Sequence, residues 1–273
     1  MATPQRVWIA VATLVVAFMA GTAPDVATAE TADAGRAAGP VATPAAISDA
    51  DVEVVAVRPL PGGRLERTSY RAAPGVTARQ LRERLTRDGV RGIADPSALT
   101  ATEDPYSCFL GTAYALDNGR CPPIRWTWAG YYDPQVYFRD RTGPAWPVRE
   151  TVRDWNQAVG IDSYWTTGAC PDDRHCVNVH SADYGGTGWS GATSFTITYG
   201  RNFVDGTVVV RLNDRYATGA ADRRSSTCHE LGHALGVGHN LSQASCMFAK
   251  DTNANPTRPH PSDFNLLRRV IYP

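Results

Sequence analysis

The stretch "CHELGHALGVGHN", Cys228–Asn240, carries three of the six histidines in this 273-residue chain. His229 and His233 stand four positions apart, so an α-helix would place them one turn apart on one face, the geometry of two ligands to one metal ion. Glu230 follows His229 directly. It lies about 100° around the helix, where its carboxylate can meet a water at the metal without displacing either imidazole. Gly236 permits the left-handed turn that ends a helix and sends the chain back. His239 can then return as a third ligand. Three neutral imidazoles leave one tetrahedral position open, and an open position separates a catalytic zinc site from a structural one. A bare H-E-x-x-H also fits an ordinary amphipathic helix with two exposed histidines. The longer spacing fixes five positions and makes coincidence rare.

Composition narrows the surroundings. The length suffices for one substantial domain plus accessories, and the apolar fraction of 43% is ordinary for a globular protein. Formal net charge is zero, with no run of like charges longer than a pair, the basic pairs being Arg223-Arg224 and Arg268-Arg269. Nothing here points to a polyanion, so nucleic acid is not an expected partner. The N-terminus sets Arg6 before the apolar run Val7 to Ala20 and then Ala27-Thr28-Ala29, the layout of a secretory signal peptide cleaved after Ala29. The run is shorter than the roughly 20 residues that span a bilayer, so a retained anchor is the weaker alternative. The mature chain is expected to be secreted, extracellular and without stable membrane association.

Secretion makes the six cysteines legible as disulfides, because an even count in an oxidising compartment normally pairs. Six cysteines permit about fifteen pairings, among which sequence does not choose. Nearest-neighbour pairing gives Cys108–Cys121, Cys170–Cys176 and Cys228–Cys246; the last would tie the histidine helix to the loop before Met247. A cysteine ligating zinc or acting as an inhibitory thiolate is the alternative.

Along the chain, residues 30 to about 50 are rich in Ala, Pro, Thr and Asp with no apolar period, and read as a flexible leader. "DVEVVAV", Asp51–Val57, alternates as a short strand ending near Pro59 and the turn Pro61-Gly62-Gly63. Thr77 to Gln80 has capping-box spacing, and Leu81 and Leu85 follow at i, i+4, so one short helix is expected before Gly89. Residues 30–104 are therefore read as leader and prosegment, with a linker carrying some local structure as the alternative. From Pro105 the composition changes: every cysteine, and every tryptophan but Trp8, lies beyond it. The compact domain is expected over 105–273.

Within it "QVYFRD" (Gln135–Asp140), "HCVNVHSA" (His175–Ala182) and "TVVVRLN" (Thr207–Asn213) read as strands, and "SFTITY" (Ser194–Tyr199) as an exposed or edge strand. Val148, Val152, Trp155 and Val159 form the stripe of an amphipathic helix, with Trp155 a core residue. The histidine helix is expected from about Asp222 to Leu235. A last helix, capped by Ser262 or Asp263, carries Phe264, Leu267 and Ile271. His175, His180 and His260 are expected at the surface.

Strand, long helix, strands, motif helix and then a methionine: this order, with H-E-x-x-H-x-x-G-x-x-H in place, resembles the metzincin zinc endopeptidases, most closely the matrixin-like branch of secreted bacterial proteins. The likeness covers most of Tyr106–Pro273. "SCMF" places Met247 eight residues after His239, as in the family's Met-turn, whose methionine forms a hydrophobic floor beneath the metal. "PSDFNLLRRVIY" (Pro261–Tyr272) is similar to the matrixin C-terminal helix, and "GTVVVRLN" to the strand before the active-site helix. The resemblance implies an α+β, zincin/metzincin-type fold: a twisted mixed β-sheet with an active-site helix and a C-terminal helix.

It also implies one catalytic Zn2+ on His229, His233 and His239, with Glu230 as general base. Two family features are not matched. The prosegment lacks the matrixin cysteine-switch motif. The region His175–Gly200 keeps only His180 and Asp183 of what could form a structural zinc site, and the loop Asp183–Gly191 has few carboxylates with which to hold calcium.

The function expected is thus that of a secreted, monomeric zinc endopeptidase acting on proteins or peptides, with an extended substrate added along the strand near Thr196–Tyr199. The alternatives are a secreted zinc-binding protein that binds peptides without turnover, and a small disulfide-held module for which the metal is incidental. "GWSGA" near Ser190 lacks the second glycine of a nucleophile elbow and gives no support to a serine hydrolase. With no cysteine switch, a carboxylate such as Asp95, Glu103 or Asp104 is a candidate to approach the zinc from the prosegment, the alternative being a segment that only assists folding or secretion.

Overall fold

A computed structural model of the chain describes residues 53–94, 123–128, 130–199, 201–240, 242–248 and 256–273. Residues 1–29, read above as a signal peptide, the carboxylates Asp95, Glu103 and Asp104 expected as candidates to approach the metal, and the expected pair Cys108–Cys121 lie outside the described residues.

The described chain is α+β, built on a mixed seven-stranded sheet. In chain order the elements are β1 (Val54–Leu60), β2 (Arg64–Ala72), α1 (Ala78–Arg87), β3 (Gln135–Arg141), α2 (Val148–Trp155), β4 (Asp162–Thr166), β5 (His175–Ala182), β6 (Trp189–Ile197), β7 (Val209–Asn213), α3 (Ala220–Ala234) and α4 (Pro261–Leu266). A π-helical turn, Leu267–Ile271, continues α4. The strand order across the sheet is β1-β2-β6-β7-β5-β3-β4. β4, β3, β5 and β7 run parallel to one another, whereas β6 is antiparallel to β7, β2 to β6 and β1 to β2.

The strands follow from their alternation. β5 buries His175, Val177 and Val179 and turns Cys176 and Asn178 the other way; β7 buries Val210 and Leu212. α2 buries Val148, Val152 and Trp155 at helical spacing against α3, while Val159 lies past the helix end and is exposed. Trp155 reaches α3 and donates its indole N–H to the Cys228 carbonyl at 3.0 Å. α1 begins at the expected capping box: Gln80 N donates to Thr77 Oγ1 at 3.2 Å, and Thr77 N donates to Gln80 Oε1 at 2.9 Å.

Three expectations need correction. β6 is not an edge strand. It is longer than the alternating run suggested, is buried at most positions, and is paired on both sides, because β2 lies along its outer edge from Leu65 opposite Ile197 to Ala72 opposite Trp189. α4 is capped by neither Ser262 nor Asp263. His260 is its N-cap, its Nδ1 accepting from Ser262 N at 3.2 Å, with Asp263 as the reciprocal N3 residue. His175 is buried: it stacks on Trp126 with ring centroids 4.7 Å apart, its Nδ1 lies 2.9 Å from an Asp205 oxygen, and its Nε2 lies 2.7 Å from the Thr127 carbonyl. Of the other two histidines expected at the surface, His180 and His260 are half-buried.

Two apolar clusters result. The main core gathers the inner face of β3, β5 and β7 with α2, α3 and the C-terminal segment. A smaller cluster joins Val54, Ala78, Leu81 and Leu85 of the N-terminal elements to Trp189 and Ala192 of β6. Among the described residues no helix is long and apolar enough to cross a membrane.

Candidate metal centre

α3 presents the histidines from a helix whose end is tightly specified. Gly236 adopts φ +91°, Gly236 N donates to the His233 carbonyl and Val237 N to the Gly232 carbonyl, each at 3.0 Å, which is a Schellman ending. A Cβ at Gly236 would stand 2.2 Å from the Ile124 carbonyl oxygen, so glycine is required there by packing as well as by φ. Side chains take up the helix's last carbonyls: Trp126 Nε1 donates to Ala234 O at 2.9 Å and Tyr272 Oη to Leu235 O at 3.0 Å.

The turn aims the ligands. His233 Nδ1 donates to the Val237 carbonyl at 2.9 Å, and His229 Nδ1 to the Cys246 carbonyl at 2.8 Å. With the proton of each neutral ring committed at Nδ1, both Nε2 atoms turn bare lone pairs toward the centre of the site. They lie 3.1 Å apart. His239 joins them, its ring centroid 5.2 Å from that of His229 and 5.1 Å from that of His233. The structure therefore brings all three expected ligands together, all buried.

A fourth donor comes from far away in sequence. Glu53, on the N-terminal flank of β1, puts Oε1 at 3.0 Å from His229 Nε2 and 3.2 Å from His233 Nε2, and Oε2 at 3.2 Å from His239 Nε2. Among the described residues, Glu53, His229, His233 and His239 are the group whose donor atoms converge closely enough to hold a metal ion.

The residues fit such an ion. Donors at about 2.0–2.1 Å in a tetrahedron stand roughly 3.3 Å from one another, close to the separations just given. Imidazole lone pairs and carboxylate oxygens at this range repel unless a cation lies between them. Glu53 Oε2 and His239 Nε2 are buried without a hydrogen-bond partner, as atoms reserved for a metal would be.

Glu230 stands beside this group, fully buried. Thr193 Oγ1 donates to its Oε2 at 2.6 Å, while Oε1 is buried with no hydrogen-bond partner. Burial, followed by the Glu53 charge, pushes the Glu230 carboxyl up to about 8. Burial and the nearby Arg71 guanidinium hold His229 well below its ordinary value. Gly191 of β6 makes room for Glu230: a Cβ there would lie 2.5 Å from Glu230 Oε1 and 2.7 Å from its Cγ.

Met247 lies beneath the helix. A Cβ on Gly232 would meet its sulfur at 2.4 Å, so Met247 packs directly under the H-E-x-x-H turn. Its loop is fixed twice. Cys246 forms the disulfide with Cys228, next to His229, and Asp263 of α4 accepts from Ser245 Oγ at 2.6 Å and Asn240 Nδ2 at 2.7 Å. The second described disulfide is Cys170–Cys176. Both match nearest-neighbour pairing.

Four positions that shape the site were not read from the sequence as part of it: Glu53, Gly191, Thr193 and Asp263. Glu53 left a trace, as the one charge inside the run Val52–Val57. Gly191 left another, since glycine inside a strand marks a close approach. Nothing in the sequence singles out Thr193, and Asp263 was legible there only as a candidate helix cap.

No family model and no curated protein matches the chain. Two solved structures of myroilysin are similar to it at 14% identity, covering 55% and 62% of this chain and 96% of theirs, with TM-scores of 0.35 and 0.30. A likeness this slight decides nothing about chemistry, which rests on the side chains above.

Proposed function

We propose that this protein is a secreted zinc-dependent endopeptidase of the metzincin type, on the matrixin-like branch. Residues 1–29 would act as signal peptide, 30–104 as leader and prosegment, and 105–273 as the catalytic domain of a monomer acting on proteins or peptides. The observation that carries this reading is the convergence of three buried imidazole Nε2 atoms beside a buried glutamate with one unpartnered oxygen.

His229, His233 and His239 would hold a zinc ion, which would supply a Lewis acid for the scissile carbonyl and lower the pKa of water in the site toward about 7. Glu230 does the proton work. Thr193 fixes its Oε2, leaving Oε1 to accept a proton from the water that attacks the carbonyl carbon. The same carboxyl then returns that proton to the leaving amine nitrogen as the C–N bond breaks. Gly191 and Thr193 act as positioning residues, since both act through Glu230. Met247, behind Gly232, supports the ligand helix from below.

Glu53 on all three imidazoles would also suit a zinc-binding protein without turnover. Glu230 favours catalysis, because a purely structural site has no use for a second buried carboxylate with an unpaired oxygen. Metal analysis, with cleavage of a peptide library before and after limited proteolysis and with and without chelator, tests the reading. The expected result is one zinc per chain and chelator-sensitive cleavage. Metal-free protein, or cleavage indifferent to the chelator, would overturn it.

A further inference from the structure

Two things about the N-terminal hairpin go beyond what a catalytic site requires. First, Glu53 stands where a fourth ligand would stand, within 3.0–3.2 Å of each imidazole Nε2. Second, β2 occupies the whole outer edge of β6, pairing antiparallel from Leu65–Ile197 to Ala72–Trp189. An extended peptide recognised by strand addition needs such an edge, and it needs the one beside the catalytic glutamate. β6 is that strand: its Gly191 abuts Glu230 and its Thr193 binds it. On the hairpin side, Arg71 pairs with Gly191 in the ladder, and the next strand out, β1, pairs Val54 with Tyr70, bringing Glu53 into the same row.

The hairpin is also tied to the ligand helix. Both terminal nitrogens of the buried Arg71 guanidinium reach Ser225 Oγ on α3, at 3.4–3.5 Å, one turn before His229. Its buried apolar anchorage is the small cluster of Val54, Ala78, Leu81 and Leu85 on Trp189 and Ala192, with the partly buried Leu65 as its contact to the main core. An attachment of that kind can be lost while the rest of the sheet keeps its core.

From this arrangement we propose that residues 53–94 hold the chain in a latent form, with the Glu53 carboxylate in the fourth ligand position and β2 in the place of an extended peptide substrate. The inference rests on the zinc endopeptidase reading. The carboxylate excludes the attacking water and the strand excludes the peptide, so activation requires displacement of the whole segment. Loss of Glu53 alone would open the ligand position and leave the edge covered.

Cobalt-substituted full-length protein separates these elements. Metal content is measured first, and the visible cobalt spectrum is then followed during titration with acetohydroxamate, a small chelator that needs only an open ligand position. Wild type should hold one metal ion per chain and resist the chelator. Glu53→Ala and Glu53→Gln should hold the same metal and bind acetohydroxamate at least about tenfold more tightly, since a tethered ligand competes at a millimolar or higher effective concentration.

A peptidyl hydroxamate should gain no affinity over acetohydroxamate on the Glu53 variants, because β2 still fills the edge. A wild-type spectrum that shifts as readily as the variants' would overturn the latch. Extra affinity for the peptidyl probe on uncleaved variants would overturn the role of β2. Wild type without stoichiometric metal would sink the zinc reading itself and the latch with it.

Discussion

Gly191→Ala tests whether Glu230 works from the position the fold gives it. The new Cβ would lie 2.5 Å from Glu230 Oε1, 2.7 Å from Cγ and 2.8 Å from Cδ. Carbon atoms pack best at about 3.5–4.0 Å, so the glutamate side chain must retreat by roughly 0.7–1 Å. It has little room: it is fully buried, and its other oxygen is held by Thr193. The β6 backbone cannot easily yield either, being paired to β2 and β7 at this residue.

A displacement of about 1 Å at a reacting group costs on the order of 100-fold in rate, or about 2.7 kcal/mol of transition-state stabilisation. Overpacking should separately cost about 1–3 kcal/mol of stability. The assay is kcat/KM on a quenched peptide after limited proteolysis of the full chain, with zinc content measured on the same samples. Gly186→Ala is the control, since a Cβ there meets nothing within 4 Å. A Gly191→Ala enzyme within about twofold of wild type, with zinc retained, would show that Glu230 is not the base held in this pocket.

Glu230→Gln should keep its zinc and lose about 100- to 10,000-fold in turnover, whereas His233→Ala should lose the metal itself; metal analysis beside peptide cleavage distinguishes the two. Replacing Cys228 and Cys246 by Ser together should lower unfolding free energy by about 3 kcal/mol, the chain-entropy value for a loop of this size, as read from denaturant midpoints; an unchanged midpoint would show that the bridge does not restrain the unfolded chain.

At His175, burial alone would lower the pKa, but the Asp205 carboxylate and the Thr127 carbonyl raise it. Its contribution to stability is therefore complete below the unfolded value near about 6.5 and is lost as pH rises through the raised folded value. The gap in stability between wild type and His175→Gln should shrink on going from about pH 6 to about pH 9, and a gap independent of pH would refute the assignment.

What the sequence disclosed follows from how local each determinant is. His229, His233, Gly236 and His239 were legible because one helix and one turn place them, and both are set by residues inside the segment. The Cys228–Cys246 bridge agrees with nearest-neighbour pairing, which the sequence offered as one arrangement without choosing it. β3, β5 and β7 could be read from their own alternation, since each has one face on the main core. β6 could not: whether a strand is an edge depends on its partner, and its outer partner comes from residues 64–72. His175 failed in the same way, its burial being decided by Trp126, Thr127 and Asp205 on other segments.

Glu53 is the extreme case. Its partner His229 lies 176 residues away, and nothing between them in sequence reports the distance in space. Asp95, Glu103 and Asp104, the carboxylates that the sequence offered as candidates to approach the metal, lie outside the described residues. The β1–β2 hairpin carries a residue from far upstream across the edge of β6, and the Val54–Tyr70 and Arg71–Gly191 pairs set its row. A one-residue slip of that register would turn every side chain of the hairpin to the other face and take Glu53 away from the histidines. The same pairing that covers the outer edge of β6 therefore also aims the carboxylate, which is why the two blocks proposed above belong to one element and should be released together.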